Sequence, residues 1–228
     1  MSAGGRLEIV FLDVGGVLYD DAVYARALLL ALRELGAKVN EEDFDAEYEA
    51  CRRAQNGSFR ERLTERFLGP LSTVVDVEER ASAHWHYPPA ALHVDVRTCL
   101  EAIAGEGYRL GVIANQPSAV REAMRRDGIE GYFEVWGVSD DLGIDKPDPR
   151  IFAHAIEAAG VEPSRAVMVG DRLDYDVRPA KQAGMGAVWV LRGEAPAEPT
   201  PEQIAEADAV IRSLAELPAA LGGLRNPR

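Results

Sequence analysis

Two kinds of hydrophobic pattern divide the chain. Residues 7–12 are five apolar positions and Glu8, closed by Asp13 and then by Gly15-Gly16. An apolar run this short and dense reads as a strand buried on both faces, and the paired glycines let the backbone turn sharply after it. Residues 20–88 lose that pattern and carry helical signals. The first helix, which Asp20 or Asp21 can cap, runs to residue 35 with Gly36 as its stop. The second opens at Asn40 and ends near 55, broken by Asn56-Gly57-Ser58. The third covers 59–68 and ends at Gly69-Pro70, and the fourth covers 77–86, before Pro88-Pro89. From residue 94 onward helices and strands alternate. Helices are expected at 94–104, 117–126, 149–159, 176–183 and 214–221. Strands are expected at 109–114, 132–138, 166–170 and 187–191, with a weaker one at 208–211.

Strand-helix alternation implies a parallel sheet with right-handed crossovers. The fold class expected is α/β, a Rossmann-like three-layer open parallel sheet with an inserted all-helical cap domain. Residues 1–19 and 89–228 form the core, 20–88 the cap, and 222–228 fray at the terminus. The insert follows the first strand, so it stands over the carboxyl edge of the sheet, where open parallel sheets bind ligands. There it can act as a lid that excludes water.

Composition narrows the partners. The 228 residues are 47% apolar, enough for a sizeable core, and carry a formal net charge of −13. That charge argues against nucleic acid and anionic membranes, and an anionic substrate must be held by local cations. Cys51 and Cys99 lie far apart and fit no metal spacing, as expected of reduced packing thiols in a cytoplasmic protein. MSAGGR precedes a run too short for a signal peptide. The longest helical apolar run, 27–32, falls well short of the roughly 20 residues that span a bilayer. No internal repeat occurs, and no patch sets an oligomeric state.

Chemistry concentrates where strands end. Asp13 follows the first strand, Asn115-Gln116 the second, and Asp171 the 166–170 strand, with Asp174 and Asp176 close behind; Lys146 lies just before a helix. In an open parallel sheet these groups gather at one edge. Phosphoryl transfer through a carboxylate uses such a set: a nucleophilic Asp forms an aspartyl phosphate that water then opens. The two anions need a divalent cation between them, and Mg²⁺ takes carboxylates plus substrate oxygens. Asp13 and Asp171 are the expected direct ligands, with the carbonyl of Gly15, while Asp176 orients a bound water or a supporting group. Lys146 balances the charge on Asp13 and phosphate. Singly, each residue has a plainer role: a turn residue for Asp171, a helix start for Asp174 and Asp176, a solvated lysine for Lys146.

The segments FLDVGGVLYD, GVIANQ, GIDKPDPRIF and VMVGDRLDYDV, in this order and spacing, resemble the haloacid dehalogenase superfamily of hydrolases over nearly the whole chain. The resemblance implies a Mg²⁺-dependent phosphatase with Asp13 as nucleophile, Lys146 as its cationic partner, and Asp171 and Asp176 at the metal. The helical block sits where this family inserts its first type of cap. Two positions depart from the pattern. Phosphatases of the family usually carry a second Asp two residues after the nucleophile, which protonates the leaving group and then activates water. Here that position is Gly15, and losing a positioned acid/base typically costs about 10²–10⁴-fold. Ala114 stands where Ser or Thr usually binds phosphate, a role left to Asn115 and nearby backbone N–H groups. Substrate binding is expected from Gly16, Asn115 and Lys146. Arg52, Arg53 and Arg60 flank Gly57 and can read a substrate carboxylate or second phosphate, or stay solvated. His84 and His86, beside Trp85 at the end of the insert, either take part or form a hinge surface.

Three functions are compatible with this pattern. The first is Mg²⁺-dependent hydrolysis of a small phosphorylated metabolite. The second is metal-independent dehalogenation of a halo-acid, which Gly15 permits and the acidic pair Asp171 and Asp176 opposes. The third is a catalytically impaired protein that binds a phospho-ligand or a protein partner.

Overall fold

In the computed structural model, which describes residues 6–70 and 72–224, strand β1 (Ile9–Leu12) lies at the middle of a six-stranded parallel sheet. The other strands are β2 (Arg109–Ala114), β3 (Val135–Val138), β4 (Ala166–Gly170), β5 (Gly186–Val190) and β6 (Ala209–Ile211), and the order is β3-β2-β1-β4-β5-β6. The chain fills one side of β1 with β2 and β3, then crosses over to add β4 on the other side. The order therefore reverses between β1 and β4, where such sheets hold ligands beyond their carboxyl ends. Register sets Ile9 beside Ala166 and Leu12 beside Val169, so the residues after these two strands, Asp13 and Asp171, emerge as neighbours.

Alternate residues of the central strands feed two cores, as the two-residue period of a strand requires. Val10 and Leu12 point to one face, covered by helices α5 (Val96–Gly105), α6 (Val120–Arg126) and α11 (Leu217–Leu224). Ile9 and Phe11 point to the other, covered by α8 (Pro149–Ala159) and α9 (Arg178–Gln182). The sheet is thus the middle of three layers, as its doubly apolar strands require.

Between β1 and α5 the chain builds α1 (Ala22–Glu34), α2 (Glu41–Ala54), α3 (Phe59–Leu68) and α4 (Val74–Ser82). These four helices share a hydrophobic cluster of their own, with Leu28, Leu32, Phe44, Leu63 and Val77 buried in it. Asn40, Ser58 and Thr73 cap α2, α3 and α4, each accepting a backbone N–H three residues on. The Thr73 cap starts α4 three residues ahead of the position its apolar spacing suggested. The short helices α7 (Ser139–Leu142) and α10 (Pro201–Ile204) complete the chain.

Other differences from the sequence expectations are local. The helix expected from 117 begins at Val120. The helix expected at 176–183 is a π-helical turn, Leu173–Val177, running into α9. The last helix extends to Leu224, into the stretch expected to fray, and residues 225–228 lie outside the described residues, as do residues 1–5. Among the described residues no helix is long and apolar enough to cross a membrane. Cys51 and Cys99 are buried and unpaired with one another.

Candidate active site

Asp13 leaves β1 with its N–H still tied to the sheet, donating to the carbonyl of Val169 (2.9 Å). Its Oδ1 accepts from the Val14 N–H (2.8 Å) and from Lys146 Nζ (2.9 Å). Both donors meet the same oxygen, so among the described residues Oδ2 carries no hydrogen bond. Lys146 comes from the loop between α7 and α8 and is only 3% exposed. Asn115, at the end of β2, holds that loop: its Oδ1 accepts the Lys146 N–H (2.7 Å), and its Nδ2 donates to the Lys146 carbonyl (2.9 Å). The side-chain amide expected to meet phosphate is thus engaged in placing the lysine.

Lys146 Nζ also donates to Asp176 Oδ1 (2.6 Å), and Asp176 Oδ2 accepts from the Arg172 N–H (3.0 Å). These two bonds occupy a carboxylate with no exposed surface, and the π-helical turn is the local backbone that delivers it. Asp171 follows β4. Its carbonyl accepts from Trp189 Nε1 (2.8 Å), and its Oδ2 from the Glu194 N–H (2.6 Å). Asp13, Asp171 and Asp176 each offer a carboxylate oxygen within 4.8 Å of the other two.

This floor has more negative charge than its one amine can balance. Burial pushes the Asp13 carboxyl up to about 6, with Lys146 pulling against it and Asp176 adding to it. Burial, then Asp21, Asp13, Asp176 and Glu194, hold Asp171 well above the usual carboxylate range. Asp21 is raised likewise, by burial and then by Glu194 and Asp13. For Lys146 burial opposes the charged form, but Asp13 and Asp176 outweigh it and raise its affinity for the proton. A cluster of three carboxylates, in which burial first and neighbouring charge second raise Asp13 and Asp171, suits a hard divalent cation with oxygen ligands.

Gly16 turns the chain with φ +68°, and a Cβ there would overlap the Asp171 carboxylate. Gly15 lines a cleft of about 620 Å³ that opens between the sheet edge and the helical insert, together with Asp13, Asn115, Lys146, Asp171 and Asp176. Arg52 and Arg53 are not on that lining. Arg52 spends its guanidinium on the Ala195 carbonyl and Glu49, and Arg53 is exposed beside Glu49. The cleft's arginines are Arg60, paired with Glu78 (2.9 Å), and Arg172. His84 bonds Glu34 away from the cleft, while its neighbour Trp85 lines it.

Asp21, Tyr87 and Glu194 are among the lining residues that carried no site signal in the sequence. Glu194 lies in a Pro-rich loop, and Tyr87 follows the insert's last helix. Asp21 reads as a helix cap, yet it makes no cap bond: Asp20 Oδ1 takes the Ala22 N–H (2.9 Å) instead, and the Asp21 carboxyl faces the cleft.

The chain is similar to known proteins. A phosphoserine phosphatase of Thermus thermophilus is 36% identical over 149 residues, 63% of this chain and 59% of that protein. The matched stretch thus spans little more than half of that relative's length. A glyceraldehyde 3-phosphate phosphatase of Methanothermobacter thermautotrophicus is 31% identical over 200 residues, covering 81% of this chain and 85% of that one. Among solved structures, a HAD phosphatase from Thermococcus onnurineus superposes with a TM-score of 0.62 at 28% identity, over 96% of this chain and all of that one. The family model for haloacid dehalogenase-like hydrolases matches residues 7–184. With a parallel sheet that brings its strand-end carboxylates and a buried lysine to one floor, the chain belongs to the haloacid dehalogenase-like hydrolases.

Proposed function

We propose that this protein is a Mg²⁺-dependent phosphatase that hydrolyses a small phosphorylated metabolite through an aspartyl phosphate on Asp13. The observation that carries this reading is the contact of Asp13 with the buried amine of Lys146 (2.9 Å) at the base of an open cleft. Asp13 and Asp171 would hold the cation with the carbonyl of Gly15, and Asp176 stands beside them. When bound, the cation would screen the approach of a phosphate dianion to Asp13 and polarise its oxygens.

The chain's own residues account for the rest. An oxygen of Asp13 attacks phosphorus, and the bond to the ester oxygen breaks. Lys146 keeps positive charge beside the attacked group through both half-reactions, and Asn115 fixes the loop that carries it. Gly16 lets the backbone come close to the phosphate. The helical insert acts as the lid over the cleft, excluding water. The phosphatases named above, which share a third of their residues with this chain over the matched stretches, support a phosphate ester as substrate. A halo-acid is the poorer candidate, because its carboxylate would meet Asp21, Asp171 and Glu194. The free buried thiols fit a cytoplasmic setting.

A panel of phosphate esters assayed with Mg²⁺ tests this reading. Asp13→Asn is expected to abolish turnover, by about 10⁴-fold or more. Equal turnover by the variant and the wild type would end it.

A further inference from the structure

The geometry points to Asp21 as the group that transfers protons in this reaction, working from the space that Gly15 leaves open. The inference rests on the phosphatase reading above and supplies the part that reading lacks. Expelling a basic ester oxygen requires a proton, and opening an aspartyl phosphate requires a base for the attacking water. Gly15, two residues beyond the nucleophile, can supply neither.

The backbone of Gly15 does not exclude a side chain, since its φ is not positive. The space is taken instead. A Cβ built on Gly15 would lie 2.6 Å from Asp21 Oδ1, and 3.3 Å from both Gln116 Nε2 and Tyr87 Oη. The volume into which a longer residue 15 would project is therefore occupied by a carboxyl from the start of α1. Gln116 and Tyr87, themselves hydrogen-bonded (3.3 Å), complete a polar recess around it.

Asp21 accepts a hydrogen bond from the backbone of Gly16, which holds it in the recess, and it is not consumed by the helix start. Asp20 serves the helix start, and the Asp21 side chain makes no cap bond. It has no salt-bridge partner among the described residues. It also stands outside the trio of carboxylates that meet within 4.8 Å, although it lines the same cleft as Asp13. The charged groups around it are Asp13, Asp20, Asp171 and Glu194, with the Tyr87 hydroxyl.

The two steps balance. In the first, Asp13 forms a bond to phosphorus, the ester P–O bond breaks, and the departing oxygen takes the proton of the Asp21 carboxyl. In the second, a water oxygen bonds to phosphorus and gives its proton to the Asp21 carboxylate. The bond from phosphorus to Asp13 then breaks, and inorganic phosphate leaves.

The test compares 4-nitrophenyl phosphate, whose leaving group needs no proton, with phenyl phosphate, whose leaving group does. For Asp21→Asn, kcat/KM is expected to fall about 10²–10⁴-fold with phenyl phosphate and far less with 4-nitrophenyl phosphate. With the latter, acid-quenched enzyme should accumulate phosphate on Asp13. Equal losses on both substrates, or no loss on either, would overturn the proposal. The pair Asp21→Ala with Gly15→Asp returns a carboxyl to the recess from the other strand of the turn, and it should recover phenyl phosphate turnover over Asp21→Ala alone. A folded double variant with no recovery counts against the proposal. Should Asp21→Asn not fold, as judged by its melting curve, the double variant decides alone. Failure of the phosphatase reading looks different: the wild type then turns over neither ester, or Asp13→Asn matches it.

Discussion

Lys146 and Arg172 are both cations buried among carboxylates at the same edge of the sheet, yet their surroundings assign them different work. Lys146 meets Asp13 and Asp176 with one flexible amine beside the cleft. Arg172 spreads its guanidinium over Asp174 (2.7 Å), Glu194 (3.1 Å) and the Gly57 carbonyl (2.8 Å), sandwiched between the rings of Phe59 and Tyr175. Phe59 and Gly57 belong to the helical insert and the rest to the core, so the planar fork of Arg172 joins the two parts. Gln55 reinforces that seam: its side chain donates to the Glu194 carbonyl (2.7 Å) and accepts the Leu173 N–H (2.8 Å). One cation is left beside Asp13 at the cleft, while the other is consumed by structure.

The sharpest way to break this contrast is to remove each cation. Lys146→Met should lower kcat/KM about 10²–10³-fold, the usual loss when one stabilising donor is taken from a transition state. Arg172→Met should cost about 3 kcal/mol of stability, because it leaves the half-buried carboxylates of Asp174 and Glu194 without their partner. Its kcat/KM, measured well below its melting temperature, should fall less than that of Lys146→Met. Equal activity losses in the two variants would erase the distinction.

A pH series sharpens it further. The native state holds the Asp13 proton up to about 6, against 3.8 ordinarily. Between those values the folded chain binds more protons than the unfolded one, so stability falls as pH rises through that window. The raised affinities of Asp21 and Asp171 act in the same direction. The shift at Asp13 corresponds to ~3 kcal/mol. In chelator, thermal melts should therefore rise as pH drops from 8 to 5, and added Mg²⁺ should stabilise most at pH 8. A melting temperature indifferent to pH over that range would contradict the charge excess at the floor. The smallest effect is expected at the seam. Gln55→Ala leaves a buried N–H and carbonyl without partners and should cost about 1–3 kcal/mol in denaturant unfolding, with kcat little changed.

The sheet and its order of elements were legible because doubly buried strands write themselves as short apolar runs between glycines. Asp13, Lys146, Asp171 and Asp176 could be grouped from sequence because each follows a strand or opens a helix at one edge. Side-chain assignments were legible only as far as local pattern reached. Arg52 and Arg53 looked like anion readers because they flank the break at Gly57, but the core loop carrying Ala195 captures Arg52. Asn115 was expected to contact phosphate and does line the cleft, but nothing local in the sequence showed that its amide also brackets the Lys146 backbone. Asp20 and Asp21 looked equally like caps, since carboxylates favour helix starts, and only the fold reveals that Asp20 takes the Ala22 N–H and leaves Asp21 to the cleft. Glu194 was invisible, because nothing in a Pro-rich loop says that it closes over Asp171.

The acid-rich lining of the cleft bears on how a catalytic cycle ends. On the phosphatase reading proposed above, inorganic phosphate, once detached, would be a small dianion facing Asp21 and Glu194 inside a molecule of net charge −13. The same repulsion that must be overcome on entry then hastens its escape. Product inhibition is accordingly expected to be feeble, and to strengthen as added salt screens the field.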